Sequence, residues 1–274
     1  MEPFQLRNEQ AIPYFSLLLW EREFPHLTAG ISARNSESFH DPNLYNYALH
    51  VGSDPDRVLG NRRRLAEALN IPPASWTYGE QVHGTRIREV TNSEKGRGRH
   101  ETSPALEGTD GLLTGEEEIF LFSFYADCVP LFFYSPDRGL VGVAHAGWRG
   151  TVGGIGPAMV EEFVSRGADR GQIRAAIAPS IGPCCYEVDD KVSQPLIKAL
   201  PEADVQVLQP AGPGKWNLDL KEANRQLLLD SGLSGEHILV THWCTSCHPE
   251  LFHSHRRDQG KTGRMAAFIG KRKG

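Results

Sequence analysis

The sequence predicts an α+β fold with mixed sheets, and three observations carry that prediction. Short apolar or alternating runs bounded by Gly, Pro or Asp read as strands: Ile119–Phe124, Val129–Tyr134, Leu140–Ala144, Ile173–Ala178, Val205–Leu208, Ile238–Thr241 and Met265–Ile269. The first two are apolar on both faces, which buries them between layers, either as a sheet covered by helices or as two packed sheets. Strands and helices do not alternate strictly, which disfavours a doubly wound parallel sheet.

Each helix has its own signals. Ser53-Asp54-Pro55 offers a cap followed by Pro at the first helical position, and Val58, Leu65 and Leu69 share a face before Asn70-Ile71-Pro72-Pro73 ends the helix. After Gly150 a helix runs to Arg166, with Ile155, Met159 and Phe163 four apart and Gly167 as its C-cap. Asp189 to Leu200 is a third helix. A fourth starts at Asp219, spaced from Glu222 as in a capping box, and ends at Gly232. The polar stretch 92–107 reads as a surface loop, and the basic end Lys271-Arg272-Lys273 as solvated. With 274 residues, the chain is expected to form a single domain over 1–274, with that loop as an insertion.

Composition removes several function classes. Lys plus Arg number 29 against 34 Asp plus Glu, a net charge of -5, which argues against a protein whose task is gripping nucleic acid. No apolar run approaches the ~18 residues of a membrane span, and the N-terminal residues lack a targeting pattern. Five Cys, two of them adjacent, do not make a secreted disulfide framework, so a reducing cytoplasm is expected.

Three polar sites stand at the ends of apolar strands: Gln81-Val82-His83-Gly84, Asp127-Cys128-Val129-Pro130, and His145-Ala146-Gly147-Trp148-Arg149-Gly150. His83, Cys128 and His145 can form three corners of a tetrahedral zinc site with the fourth left for water. The alternative is core histidines and a buried thiol, or a nucleophilic pair of Cys128 with His145 as base. The glycines at 147, 150, 153, 154 and 156 either bring backbone N–H groups to an anion beside Arg149 or pack a helix closely on a sheet. Near the C-terminus, Cys244-Thr245-Ser246-Cys247 has the spacing of half a structural zinc site, but a second C-x-x-C is missing. The expectation there is a turn carrying two thiols, then a strand with His253 and His255 on one face, lining a cleft.

QVHG, ADCVPLFF, GVAHAGWRG, APSIGPCCYEV and FHSHRRDQGKTGR closely resemble the successive motifs of the laccase-domain family, long described as multicopper polyphenol oxidases and now regarded as purine nucleoside phosphorylases. The resemblance runs from about Gly30 to Ile269. It implies a layered α/β/β/α fold similar to cysteine deamidase toxins, and a zinc (or copper) site of His83, Cys128 and His145. It also implies phosphorolysis of adenosine, inosine and methylthioadenosine, with deamination of adenosine. Gly30-Ile31-Ser32-Ala33-Arg34 matches a family segment; Asn46-Tyr47-Ala48-Leu49-His50-Val51-Gly52-Ser53 departs from another at Tyr47-Ala48 and Ser53 but keeps Asn46. Asp127, Cys128 and His145 are the candidate catalytic residues, with Asp127 moving the proton. Arg34, Asn46, Gln81, Arg149 and Arg257 are candidates for binding nucleoside and phosphate, since Arg presents a fork to phosphate oxygens. A homodimer stays open. A dedicated copper oxidase is disfavoured by arithmetic: one H-x-H pair, His253 and His255, and three Met cannot supply a trinuclear cluster plus a blue-copper site.

Overall fold

The computed structural model describes residues 1–8, 12–36, 41, 43–52, 54–100, 102–200 and 207–274. In chain order the elements are β1 (Phe4–Arg7), β2 (Tyr14–Leu17), α1 (Leu18–Glu23), β3 (Leu27–Ser32), α2 (Pro55–Leu69), β4 (Trp76–Tyr78), β5 (Ile87–Glu89) and β6 (Gly111–Thr114). Then come β7 (Phe120–Tyr125), β8 (Val129–Ser135), β9 (Leu140–Ala146), α3 (Trp148–Val152), α4 (Ile155–Ser165), β10 (Arg174–Ile177), β11 (Glu187–Asp189) and α5 (Asp190–Ala199). The chain closes with β12 (Leu208–Gly212), β13 (Lys215–Leu218), α6 (Leu220–Asp230), β14 (Ile238–Val240) and β15 (Met265–Lys271).

Two six-stranded mixed sheets, β1-β2-β3-β15-β7-β4 and β14-β10-β8-β9-β6-β5, pack face to face, with a small β11-β13-β12 sheet beside them. Strand parity explains why the buried runs are apolar throughout. On β7, Leu121 and Tyr125 point between the sheets while Phe120, Phe122 and Phe124 point outward to Leu65 and Leu69 of α2. On β8, Phe132 and Tyr134 point between the sheets while Leu131 and Phe133 meet Met159, Val160 and Phe163 of α4. The layers are therefore helix, sheet, sheet, helix, as the sequence pattern together with the resemblance anticipates.

Local chemistry sets the ends. Asp54 accepts from Arg57 N at 3.1 Å, and Asn70 ends α2 in the left-handed region at φ 50°; Ser53 lies outside the described residues. Asp219 accepts from both Lys221 N and Glu222 N, but Glu222 pairs with Arg225 and not with the cap, so the box is half built.

Several expectations are corrected. The helix after Gly150 is two helices: α3 already begins at Trp148, and Gly154, at φ 77°, breaks the path to α4. The 253–258 segment is a series of turns and not a strand. The basic end is docked, because the guanidinium of Arg272 donates to Leu69 O and Asn70 O, where the last carbonyls of α2 lack helical partners. The polar 92–107 loop, with 101 outside the described residues, is pinned by Arg62, which donates to Gly98 O and Arg99 O from beneath it. Val205 and Gln206 fall outside the described residues, and the strand predicted there is seen from Leu208 onward. Among the described residues, no helix is long and apolar enough to cross a membrane.

Candidate metal centre and active-site cavity

β8 and β9 pair antiparallel with Val129 opposite Ala146 and Pro130 opposite His145, so the Cys128 and His145 ends coincide. His145 shares the parity of Val141 and Val143, and Cys128 packs on the same inter-sheet core. The open end of the layer between the sheets therefore receives both side chains. His83 arrives from the turn after β4, its ring 4.8 Å from that of His145. The ligand atoms of His83, Cys128 and His145 all lie within 4.8 Å of one another.

Asp110, directly before β6, organises this cluster. Its Oδ1 lies 2.9 Å from Nδ1 of His145, and its two oxygens accept from the backbone N–H groups of Val82, His83 and Gly84. One buried carboxylate thus fixes the turn that carries His83 and the tautomer of His145, leaving Nε2 for the cluster. Burial works against the Asp110 charge, but the His145 ring and the turn amides outweigh it and hold the carboxyl below its ordinary range. Burial likewise opposes ionisation of Cys128, yet the His145 and His83 imidazoles lower its thiol to about 6. His145 shows the reciprocal effect: burial opposes its charge, while Cys128 and Asp110 hold its pKa up to about 9.

A soft sulfur and two imidazoles, one oriented by a carboxylate, are a donor set suited to zinc, and all three residues line the cavity. Close packing makes that convergence possible. A Cβ on Gly147 would sit 3.0 Å from Cys128 Sγ and 3.1 Å from His83 Cδ2, and one on Gly153 would sit 2.7 Å from Thr85 Cγ2. Gly147 thus lets the backbone approach the cluster, and Gly153 lets it approach Thr85 beside the turn of His83. His83 and Asp127 both have positive φ, 60° and 86°, a conformation that side-chain-bearing residues seldom adopt and that costs on the order of 1 kcal/mol each. Asp110 holds the first. The second is held by Thr245 Oγ1, which donates to Asp127 Oδ1 at 2.6 Å, and by Arg256 N, which donates to Oδ2 at 2.7 Å.

The cluster opens into a cavity of about 340 Å³, within the range of small-molecule sites. Of the residues expected to bind substrate, Gln81 and Arg149 line it with the three cluster residues and Asp127. Gln81 uses both amide atoms on the backbone of Phe124, clamping its turn to the end of β7. Arg149 lies over the Trp148 ring at 4.5 Å.

Arg34, Asn46 and Arg257 are not among the residues that line the cavity. Arg34 donates to Pro249 O and lies 3.4 Å from His253 Nδ1; Arg257 donates to Thr245 O and Phe252 O and pairs with Asp258. Asn46 accepts from Arg264 N and Ala48 N and donates to Val51 O, so it positions Arg264, which does reach the cavity. His253 is buried with its Nε2 toward Tyr45 O and Nδ1 toward Thr262 Oγ1, whereas His255 lines the cavity, so the single H-x-H pair is divided and cannot chelate as one unit.

Asp110, His50, Arg256 and Arg264 are site residues that the sequence reading missed. The T-D-G step at the head of β6 and an Arg directly before the buried β15 were the available signals. Phe124, Trp148, Ile181, Tyr186 and Leu220 give the cavity its apolar surface.

Residues 28–272 match the family described as multi-copper polyphenol oxidoreductase laccase. The chain is 47% identical over 251 residues to purine nucleoside phosphorylase YlmD of Geobacillus stearothermophilus, covering 91% of this chain and 92% of that protein. It is 43% identical to purine nucleoside phosphorylase YlmD of Bacillus subtilis, covering 98% and 97%. The crystal structure of YlmD from Geobacillus stearothermophilus superposes with a TM-score of 0.93 at 44% identity, over 100% of both chains.

Proposed function

The chain belongs to the multi-copper polyphenol oxidoreductase laccase family, and from its similarity to the phosphorylases within it we propose that it is a zinc-dependent purine nucleoside phosphorylase. In this reading it cleaves adenosine, inosine and methylthioadenosine with phosphate, giving free base and the corresponding ribose 1-phosphate, and also deaminates adenosine. One observation carries the reading: His83, Cys128 and His145 line the same cavity as three arginines, Arg149, Arg256 and Arg264.

When bound by the three cluster residues, zinc supplies a Lewis acid with an open coordination position. The remaining work falls to side chains. Arg149, Arg256 and Arg264 give a phosphate dianion a cationic wall close to an apolar one. Phe124, Trp148 and Tyr186 present flat faces to a purine. Asp127, its carboxylate fixed by Thr245 and the Arg256 amide, takes or returns the proton as the base leaves or the amine is lost. Arg34, Asn46 and Arg257 support from outside the cavity lining.

The purified protein incubated with inosine should release hypoxanthine only when phosphate is present. His83→Ala and Cys128→Ala should remove that activity from a folded protein, and unchanged turnover after zinc removal would overturn the metal reading. A second reading, a Cys128–His145 hydrolase, draws on the lowered thiol of Cys128. It gives His83 only the part of helping to hold the thiolate, and it predicts phosphate-independent turnover by a metal-free protein.

A further inference from the structure

The four cysteines outside the cavity cluster converge at one edge of the second sheet. β10 and β14 run parallel, Ile177 opposite Val240, and leave the sheet at the same end. An isolated bridge between Ser180 and Cys244 continues the pairing, and Thr245 N donates to Ser180 O at 3.0 Å. The turn carrying Cys184 and Cys185 is thereby laid against the turn carrying Cys244 and Cys247. All four sulfurs lie within 4.8 Å of one another, with Cys247 Sγ 3.4 Å from both Cys184 Sγ and Cys185 Sγ.

We propose that Cys184, Cys185, Cys244 and Cys247 form a second, structural zinc site, separate from the cavity cluster. Four thiolates around one zinc at about 2.3 Å stand roughly 3.8 Å apart, which matches the spacing here. Gly182 N donates to Cys244 Sγ at 3.2 Å, an N–H to sulfur contact of the kind that supports a metal thiolate. All four are free thiols, and two are exposed, so a shared cation gives four neighbouring sulfurs a common partner. The missing second C-x-x-C of the sequence is supplied by an adjacent pair from a distant turn.

The site acts as a clip on the cavity wall. One turn carries Ile181 and Tyr186, which line the cavity, and Ile181 N donates to Asp127 O; the other carries Thr245, whose hydroxyl holds Asp127 Oδ1. Zinc between the turns fixes two of the three supports of Asp127 at once, the third being Arg256 N.

Elemental analysis of the protein purified under reducing conditions should find about two zinc ions per chain, falling to about one in Cys247→Ser and about one in His83→Ala. Cobalt exchanged into His83→Ala should show the intense charge-transfer and visible bands of a tetrahedral tetrathiolate centre, a readout that does not require Cys247→Ser to fold. About one zinc in the wild type with no loss in Cys247→Ser, a Cys184–Cys247 disulfide in the reduced preparation, or absence of tetrathiolate bands would each overturn the second site. Because His83→Ala tests the cavity cluster and Cys247→Ser the clip, either site can fail without the other.

Discussion

Asp110 Oδ1 lies 2.9 Å from His145 Nδ1, and the same carboxylate accepts the backbone N–H groups of the turn that carries His83. Two of three proposed metal ligands therefore depend on one acidic residue that binds no metal itself. Asp110→Asn keeps the shape but replaces an oxygen acceptor with an N–H₂ donor facing N–H groups. Zinc affinity at the cavity cluster should fall roughly 10- to 100-fold, with phosphorolysis falling in parallel. A competition titration with a chromophoric chelator, set beside kcat, checks this; wild-type affinity in the variant would refute it.

Gly147 tests the same cluster by volume alone. Its φ of -68° suits alanine, so Gly147→Ala adds no backbone strain, but its Cβ would press on Cys128 Sγ and His83 Cδ2. The variant should keep its thermal midpoint within about 2 °C, a shift worth roughly 1 kcal/mol in a chain of this length, while losing cavity zinc.

In metal-free protein the Cys128 thiol is held at about 6, so its thiolate fraction rises through that pH and not through the ~8.5 of an ordinary cysteine. Iodoacetamide labelling of the Cys128 peptide, followed by mass spectrometry, should be half-maximal near pH 6. Zinc should suppress it across the range.

The arginines separate into two phenotypes. Arg149→Ala or Arg264→Ala should raise KM for phosphate by about tenfold or more, the scale of one lost charged hydrogen bond. Arg34→Ala should instead cost about 1–3 kcal/mol of stability, because it removes a buried guanidinium and the donor it gives to the half-buried Pro249 O. Denaturant titration and phosphate kinetics on the same variants distinguish them.

His253 makes a pH prediction. Burial, then the Arg34 charge, lowers its pKa to about 3, while the unfolded chain takes up a proton near pH ~6.5. Above that pH it contributes nothing. Between pH ~6.5 and ~3 the unfolded state binds the extra proton, so stability falls with acidification by up to about 1.4 kcal/mol per pH unit. His253→Gln should flatten this acid arm, measured by urea unfolding at neutral and mildly acidic pH; an unchanged slope would count against it.

The sequence by itself determined the strands and helices whose faces it patterned. Phe120 to Tyr125 and Val129 to Tyr134 could only be buried on both sides, and the donors His83, Cys128 and His145 stood at strand ends where polar groups collect. Arg34, Asn46 and Arg257 fit phosphate binding in sequence because a guanidinium or amide looks the same whether it faces a cavity or a backbone carbonyl. Only the tertiary structure decided that Arg256 and Arg264, each of which also donates to backbone carbonyls, line the cavity while Arg34 and Arg257 do not. It alone joined Asp110 to His145 and Cys184 to Cys247, pairs separated by 35 and 63 positions. The physical reason is range: periodicity and capping act over neighbouring residues, whereas a ligand set is fixed by which strand ends the sheet brings together, and no local pattern records that pairing.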